Sequence, residues 1–104
     1  MTSKPKDIWH DRALFHFLRE PGDRARYVEQ MKRNLVPNGS AIIATFADDG
    51  PEICSGLPVV RYSPEMLASE LGRDFALVDS RRHTHVTPKN ATQSFQYSRF
   101  RRVN

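Results

Sequence analysis

The densest concentration of reactive side chains in this sequence is the run His10-Asp11-Arg12, directly after Trp9. An imidazole beside a carboxylate can take up a proton, so the triplet is a candidate for general-base chemistry. Its competing use is structural. Asp11 and Arg12 pair with each other or cap the following helix, and His10 packs beside Trp9. Cys54 is the single cysteine, which excludes an internal disulfide and a zinc site built from cysteines alone. No base is assigned to its thiol, so a small buried hydrophobe outweighs a nucleophile there. His83 and His85 stand two apart on an expected strand and share one face. With Cys54 or His10 they would hold zinc only if folding supplied a third ligand, and no metal site is expected. Arg61 is a candidate for holding an acidic substrate group, against an ordinary surface ion pair.

Charge adds a second kind of candidate. Sixteen Lys and Arg against twelve Asp and Glu give the 104-residue chain a net charge of +4. From Arg73 onward there are seven basic residues and two acidic ones, so the last third alone is basic. Such a segment suits nucleic acid or an acidic partner. A solvated edge strand whose arginines oppose aggregation explains the same residues, and nucleic acid is the less favoured reading.

The elements that must position these residues follow from pattern. The length allows one domain, here residues 1–104. No run of about 18 apolar residues is present, which excludes a transmembrane helix, and no membrane association is expected. Asp11 and Arg12 interrupt any secretory h-region. A cytoplasmic location is the expectation. Residues 7–18 begin strand-like and turn helical, with Trp9, Ala13 and Phe17 recurring every four residues beside Leu14 and Leu18. Pro21-Gly22 breaks the run and Asp23 is the expected N-cap of a helix over 24–35. That helix turns Val28, Met31 and Leu35 inward and ends at Pro37-Asn38-Gly39.

Residues 41–47 are apolar without alternation, the mark of a strand covered on both faces. A loop or partial strand runs to Tyr62. Ser63 and Pro64 then open a short helix that Gly72 closes. Residues 75–86 and 92–103 read as a hairpin, with Phe95 and Tyr97 on one face of its second strand. Strand and helix alternate, so the fold class is α/β.

The strings Asp7-Ile8-Trp9-His10-Asp11-Arg12-Ala13-Leu14-Phe15-His16-Phe17-Leu18 and Leu35-Val36-Pro37-Asn38-Gly39 resemble segments of bacterial class I methyltransferases that use S-adenosylmethionine. The first resembles the region of that family's fourth strand, the second its turn before strand five. The likeness continues through Ile42-Ile43-Ala44-Thr45-Phe46 and Cys54-Ser55-Gly56-Leu57-Pro58-Val59-Val60-Arg61-Tyr62. It extends to His85-x-Thr87-Pro88 and Gln93-x-Phe95-x-Tyr97, covering residues 7–102.

The resemblance implies a partial doubly wound, Rossmann-like sheet equivalent to strands four to seven, the C-terminal half of that fold, ending in an antiparallel hairpin. It places His10, Asp11 and Arg12 at a methyl-transfer pocket as catalytic candidates, and Trp9 and Arg61 as substrate-binding ones. The family's cofactor half has a glycine-rich turn and an acidic residue for the ribose. This sequence contains no Gly-x-Gly. The expectation is therefore a truncated methyltransferase-like chain with no independent activity and no bound S-adenosylmethionine. Removing strands one to three from that fold would leave Asp7-Ile8-Trp9 as an open edge, which predicts a homodimer. A complementary cofactor-half protein is the alternative partner that would restore a site.

Overall fold

The structure, a computed structural model, describes residues 6–104. Strand β1 (Lys6–Arg12) leads through one 3-10 turn (Phe15–Phe17) into helix α1 (Pro21–Asn34) and strand β2 (Leu35–Phe46). A small hairpin, β3 (Ile53–Cys54) and β4 (Leu57–Pro58), precedes helix α2 (Pro64–Leu71). The long strands β5 (Phe75–Val86) and β6 (Thr92–Arg102) end the chain. The main sheet has the order β1-β2-β6-β5, with β1 parallel to β2 and the other neighbours antiparallel. Among the described residues, both β1 and β5 are edges.

Two local expectations are corrected. Residues 13–18 do not continue as a helix. The Asp11 carboxylate accepts hydrogen bonds from the backbone N–H groups of Leu14 and Phe15, at 3.0 and 3.1 Å. Ala13 takes a left-handed conformation (φ 61°), and the chain closes only one 3-10 turn before Leu18 is extended again. The four-residue spacing of Trp9, Ala13 and Phe17 therefore spans a strand end and a turn. Asp23 is not the N-cap either. Glu20 holds that position, and Pro21 starts the helix, where a missing N–H costs nothing. Asp23 instead lies in the first turn, favourable to the helix dipole.

The Pro37-Asn38-Gly39 turn is absorbed into β2 as an irregularity. Lys6 pairs with Leu35 but Ile8 with Ser40, so β2 carries extra residues, and Asn38 sits at φ 67°. A Cβ on Gly39 would lie 2.9 Å from the Val36 carbonyl oxygen and 3.1 Å from that of Asp7. Only glycine lets β1 close on β2 there. The second helix follows its sequence signals: the Ser63 hydroxyl accepts from Met66 N–H at 3.2 Å, and Gly72 ends it at φ 83°.

Pairing register assigns each side chain to a face. One face of the sheet carries Ala41 and Ile43 of β2 and Phe100 of β6. They form the main core with Phe15, Met31, Leu67 and Leu71, under α1 and α2. On the other face, Ala44, Phe46 and Phe95 make a smaller cluster, covered at one end by Cys54 and Val59. The rest of that face has no layer over it among the described residues.

Candidate functional site

In open α/β sheets, ligands collect beyond the carboxyl ends of the strands. Here that rim is made by Asp11–Leu14 after β1 and by Ala47–Gly50 after β2. Asp11 is buried and fully engaged. Besides the two backbone donors, it accepts a hydrogen bond from the Tyr27 hydroxyl. Tyr27 in turn accepts from Trp9 Nε1 at 2.9 Å, and the two rings meet edge to face, 5.7 Å between centroids. Burial, and next the bond to Asp11, push the Tyr27 phenol far above its ordinary range, so it stays a neutral donor. Trp9, Asp11 and Tyr27 thus form one network that ties β1 to α1.

His10 and Arg12 alternate with these residues and project to the opposite, open face, where both are exposed. The Arg12 guanidinium lies 5.6 Å from the Phe95 ring centroid. The three consecutive candidates are therefore split by the strand's two-residue period. His10 and Arg12 share a surface, and Asp11 is on the other side of the sheet.

Arg61 is held within its own loop, donating to the Gly50 carbonyl at 3.1 Å and pairing with Glu52 at 3.3 Å. Cys54 is half-buried, 4.0 Å from the Ser55 hydroxyl. His83 and His85 lie on the open face against Tyr97 and Phe95, each 6.4 Å between ring centroids. Among the described residues, no group of three or more His, Cys, Asp or Glu side chains is arranged to hold a metal ion.

Sequence reasoning did not single out His16. It is completely buried, its ring tilted against that of Phe46 at 4.8 Å between centroids, and its Nδ1 accepts the Phe46 backbone N–H at 3.0 Å. Desolvation lowers its pKa to about 4, against the raising influence of Asp11. The ring is thus neutral, and its Nε2 has no partner among the described residues. Only its position inside an aromatic run hinted at burial.

No family model matches the chain, and no curated protein matches it. Solved structures do. A Burkholderia thailandensis 1,6-didemethyltoxoflavin-N1-methyltransferase, crystallised with 1,6-didemethyltoxoflavin and S-adenosylhomocysteine, aligns over 100% of this chain with a TM-score of 0.74 and 22% identity. The N-methyltransferase NodS from Bradyrhizobium japonicum WM9, in complex with S-adenosylhomocysteine, aligns over 100% at TM-score 0.69 and 13% identity. A Methanosarcina mazei S-adenosylmethionine-dependent methyltransferase aligns over 99% at TM-score 0.69 and 10% identity. The chain spans 47%, 50% and 63% of those three proteins, respectively. These likenesses establish the fold: a mixed α/β sheet of Rossmann type with a terminal antiparallel hairpin, equivalent to about half of a methyltransferase domain.

The residues described do not by themselves fit S-adenosylmethionine. A site for it needs carboxylate acceptors for the ribose hydroxyls, and those on this rim are already used. Asp11 is saturated by three donors, and Asp48 and Asp49 are both held by Arg82, at 2.6 and 2.8 Å. At the end of β1, Arg12 carries a positive charge with no ion pair among the described residues.

Proposed function

We propose that this chain is a methyltransferase-like half-domain, corresponding to strands four to seven at the C-terminal end of the class I fold. It has no independent methyl-transfer activity and associates with a second copy through β1. The observation that carries this reading is the sheet order β1-β2-β6-β5, which leaves β1 paired on one side only. In the complete fold that side meets the cofactor half. An unpaired row of N–H and C=O groups recruits another strand, and Ile8 and Leu14, 59% and 57% exposed, add apolar surface beside it. The other edge is a poorer template. β5 is interrupted by a register shift between Leu77 and Asp79, and carries Arg81 and Arg82. One two-fold arrangement pairs two β1 edges and covers both apolar patches.

Light scattering at micromolar concentration tests the association. The expected mass is twice 12.0 kDa, and a 12.0 kDa species unchanged on concentrating overturns it. Calorimetric titration with S-adenosylmethionine tests the other half of the reading. No binding is expected, and a dissociation constant in the low micromolar range or tighter would defeat it. A second reading, in which a separate cofactor-half protein completes an active enzyme at β1, is favoured by the half-length matches to proteins holding S-adenosylhomocysteine. It requires that adding such a protein restores cofactor binding.

A further inference from the structure

We propose that the open face of the sheet binds single-stranded RNA. The inference is independent of whether β1 pairs with another copy. Two helices back the four strands on one side, while the other side presents Tyr97 on the inner strand β6, half-buried, among cations. The register places Arg12, Arg81, Arg99 and Arg101 on this face, with His83 directly opposite Phe95. Asp79, paired with Arg99 at 2.9 Å, is the one carboxylate the strands place there among the described residues. Arg12, Arg81 and Arg101 have no ion pair among the described residues. The face is therefore cationic, and its occupant must be anionic. A second copy seated face to face would oppose like charges.

The shape points to one class of anion. Two shallow clefts, of about 350 and 260 Å³, adjoin on this side and share Arg81 and Tyr97. The smaller is completed by His83. An aromatic ring flanked by guanidinium groups on a bare sheet gives a base a stacking platform and its phosphates a charged track. Alternate residues of a strand stand roughly 6.8 Å apart, close to the phosphate spacing of an extended single strand. An acidic protein segment would use the arginines but has no need of the ring. The larger cleft also contains the Asp79 carboxylate, an oxygen acceptor for a ribose 2′-hydroxyl, which DNA lacks.

Fluorescence anisotropy of the full chain with a labelled single-stranded RNA of about 12 nucleotides tests this. Saturable binding is expected at low salt, weakening as salt rises by about 0.7 in logarithmic slope per phosphate contacted. Arg81→Ala and Arg101→Ala should each flatten that slope by about 0.7. Tyr97→Ala should weaken binding about fivefold or more without changing the slope, and Tyr97→Phe should restore it, which separates stacking from misfolding. Arg33→Ala, on the far side in α1, should change nothing. The proposal is overturned if no saturable binding appears, or if Arg81→Glu, an exposed substitution that leaves the core intact, binds as well as the parent. Equal affinity for DNA of the same sequence removes the assignment to RNA. Displacement by polyglutamate, with Tyr97→Ala unaffected, would mean that the face docks an acidic protein instead.

Discussion

The two faces of the sheet are made by the same four strands and differ in almost every physical respect. Under α1 and α2, β6 contributes Phe100, fully buried, and β2 contributes Ala41 and Ile43, small and branched residues that let the helices approach. One residue away, Arg99 and Arg101 point outward to solvent, and among the described residues the apolar cover on that side is the Cys54–Val59 loop over Phe46 and Phe95. A strand reverses its surroundings every residue, so one sequence can be a core on one side and a charged surface on the other. The covered face holds the main apolar core, and the open face carries the smaller cluster and most of the arginines of the hairpin.

The strongest test of that contrast is Phe100→Ala, which should cost about 3–5 kcal/mol in denaturant unfolding because the ring is wholly enclosed. Phe95→Ala, beneath a single loop, should fall at about 3 kcal/mol. A larger loss at Phe95 than at Phe100 would show that the stable core lies on the wrong face. Next comes pH. The His16 ring binds a proton near pH 6.5 in the unfolded chain but only near 4 in the fold. Between those values the unfolded state holds more protons, so stability falls as pH drops from about 6.5 to 4, by up to about 3 kcal/mol. His16→Asn, which keeps an acceptor for the Phe46 N–H, should flatten this slope. An unchanged slope would assign the pH dependence elsewhere.

Asp11→Asn should cost about 1–3 kcal/mol, because an amide cannot serve all three donors that the carboxylate now accepts from. The smallest effects separate two neighbouring arginines. Arg102 is half-buried and donates to the Leu35 carbonyl, fastening the end of β6 to the start of β2. Its replacement by Ala should cost about 1 kcal/mol, whereas Arg101→Ala on the open face should stay below about 0.5 kcal/mol. Equal values for the two would show that the strand's facing has been misassigned.

Much of this arrangement was already determined by the sequence. The apolar run at 41–47 demanded a strand covered on both faces, and β2 is the buried centre of the sheet. The helices, however, cover one face, and among the described residues only the Cys54–Val59 loop covers the end of the other. Ser63-Pro64 and Gly72 bounded α2 because capping and left-handed backbone are local demands. The hairpin at 75–102 was legible for the same reason. The expectation of part of a methyltransferase-like fold, made on residue strings, agrees with solved methyltransferase structures that the chain matches over about half of their length.

What only the tertiary structure decided concerns residues whose local pattern admits two answers. The spacing of Trp9, Ala13 and Phe17 fitted a helix, but Asp11 captured the Leu14 and Phe15 N–H groups and ended the matter in one turn. His10, Asp11 and Arg12 looked like a unit in sequence. Whether they meet depends on which face is buried, and pairing with β2 put Asp11 inside and His10 and Arg12 outside. His16 carried no local sign of its fate, since its depressed basicity comes from desolvation by the residues packed around it. Local chemistry sets how a segment can fold, but burial is a property of what packs against it, and that is written in residues far away along the chain.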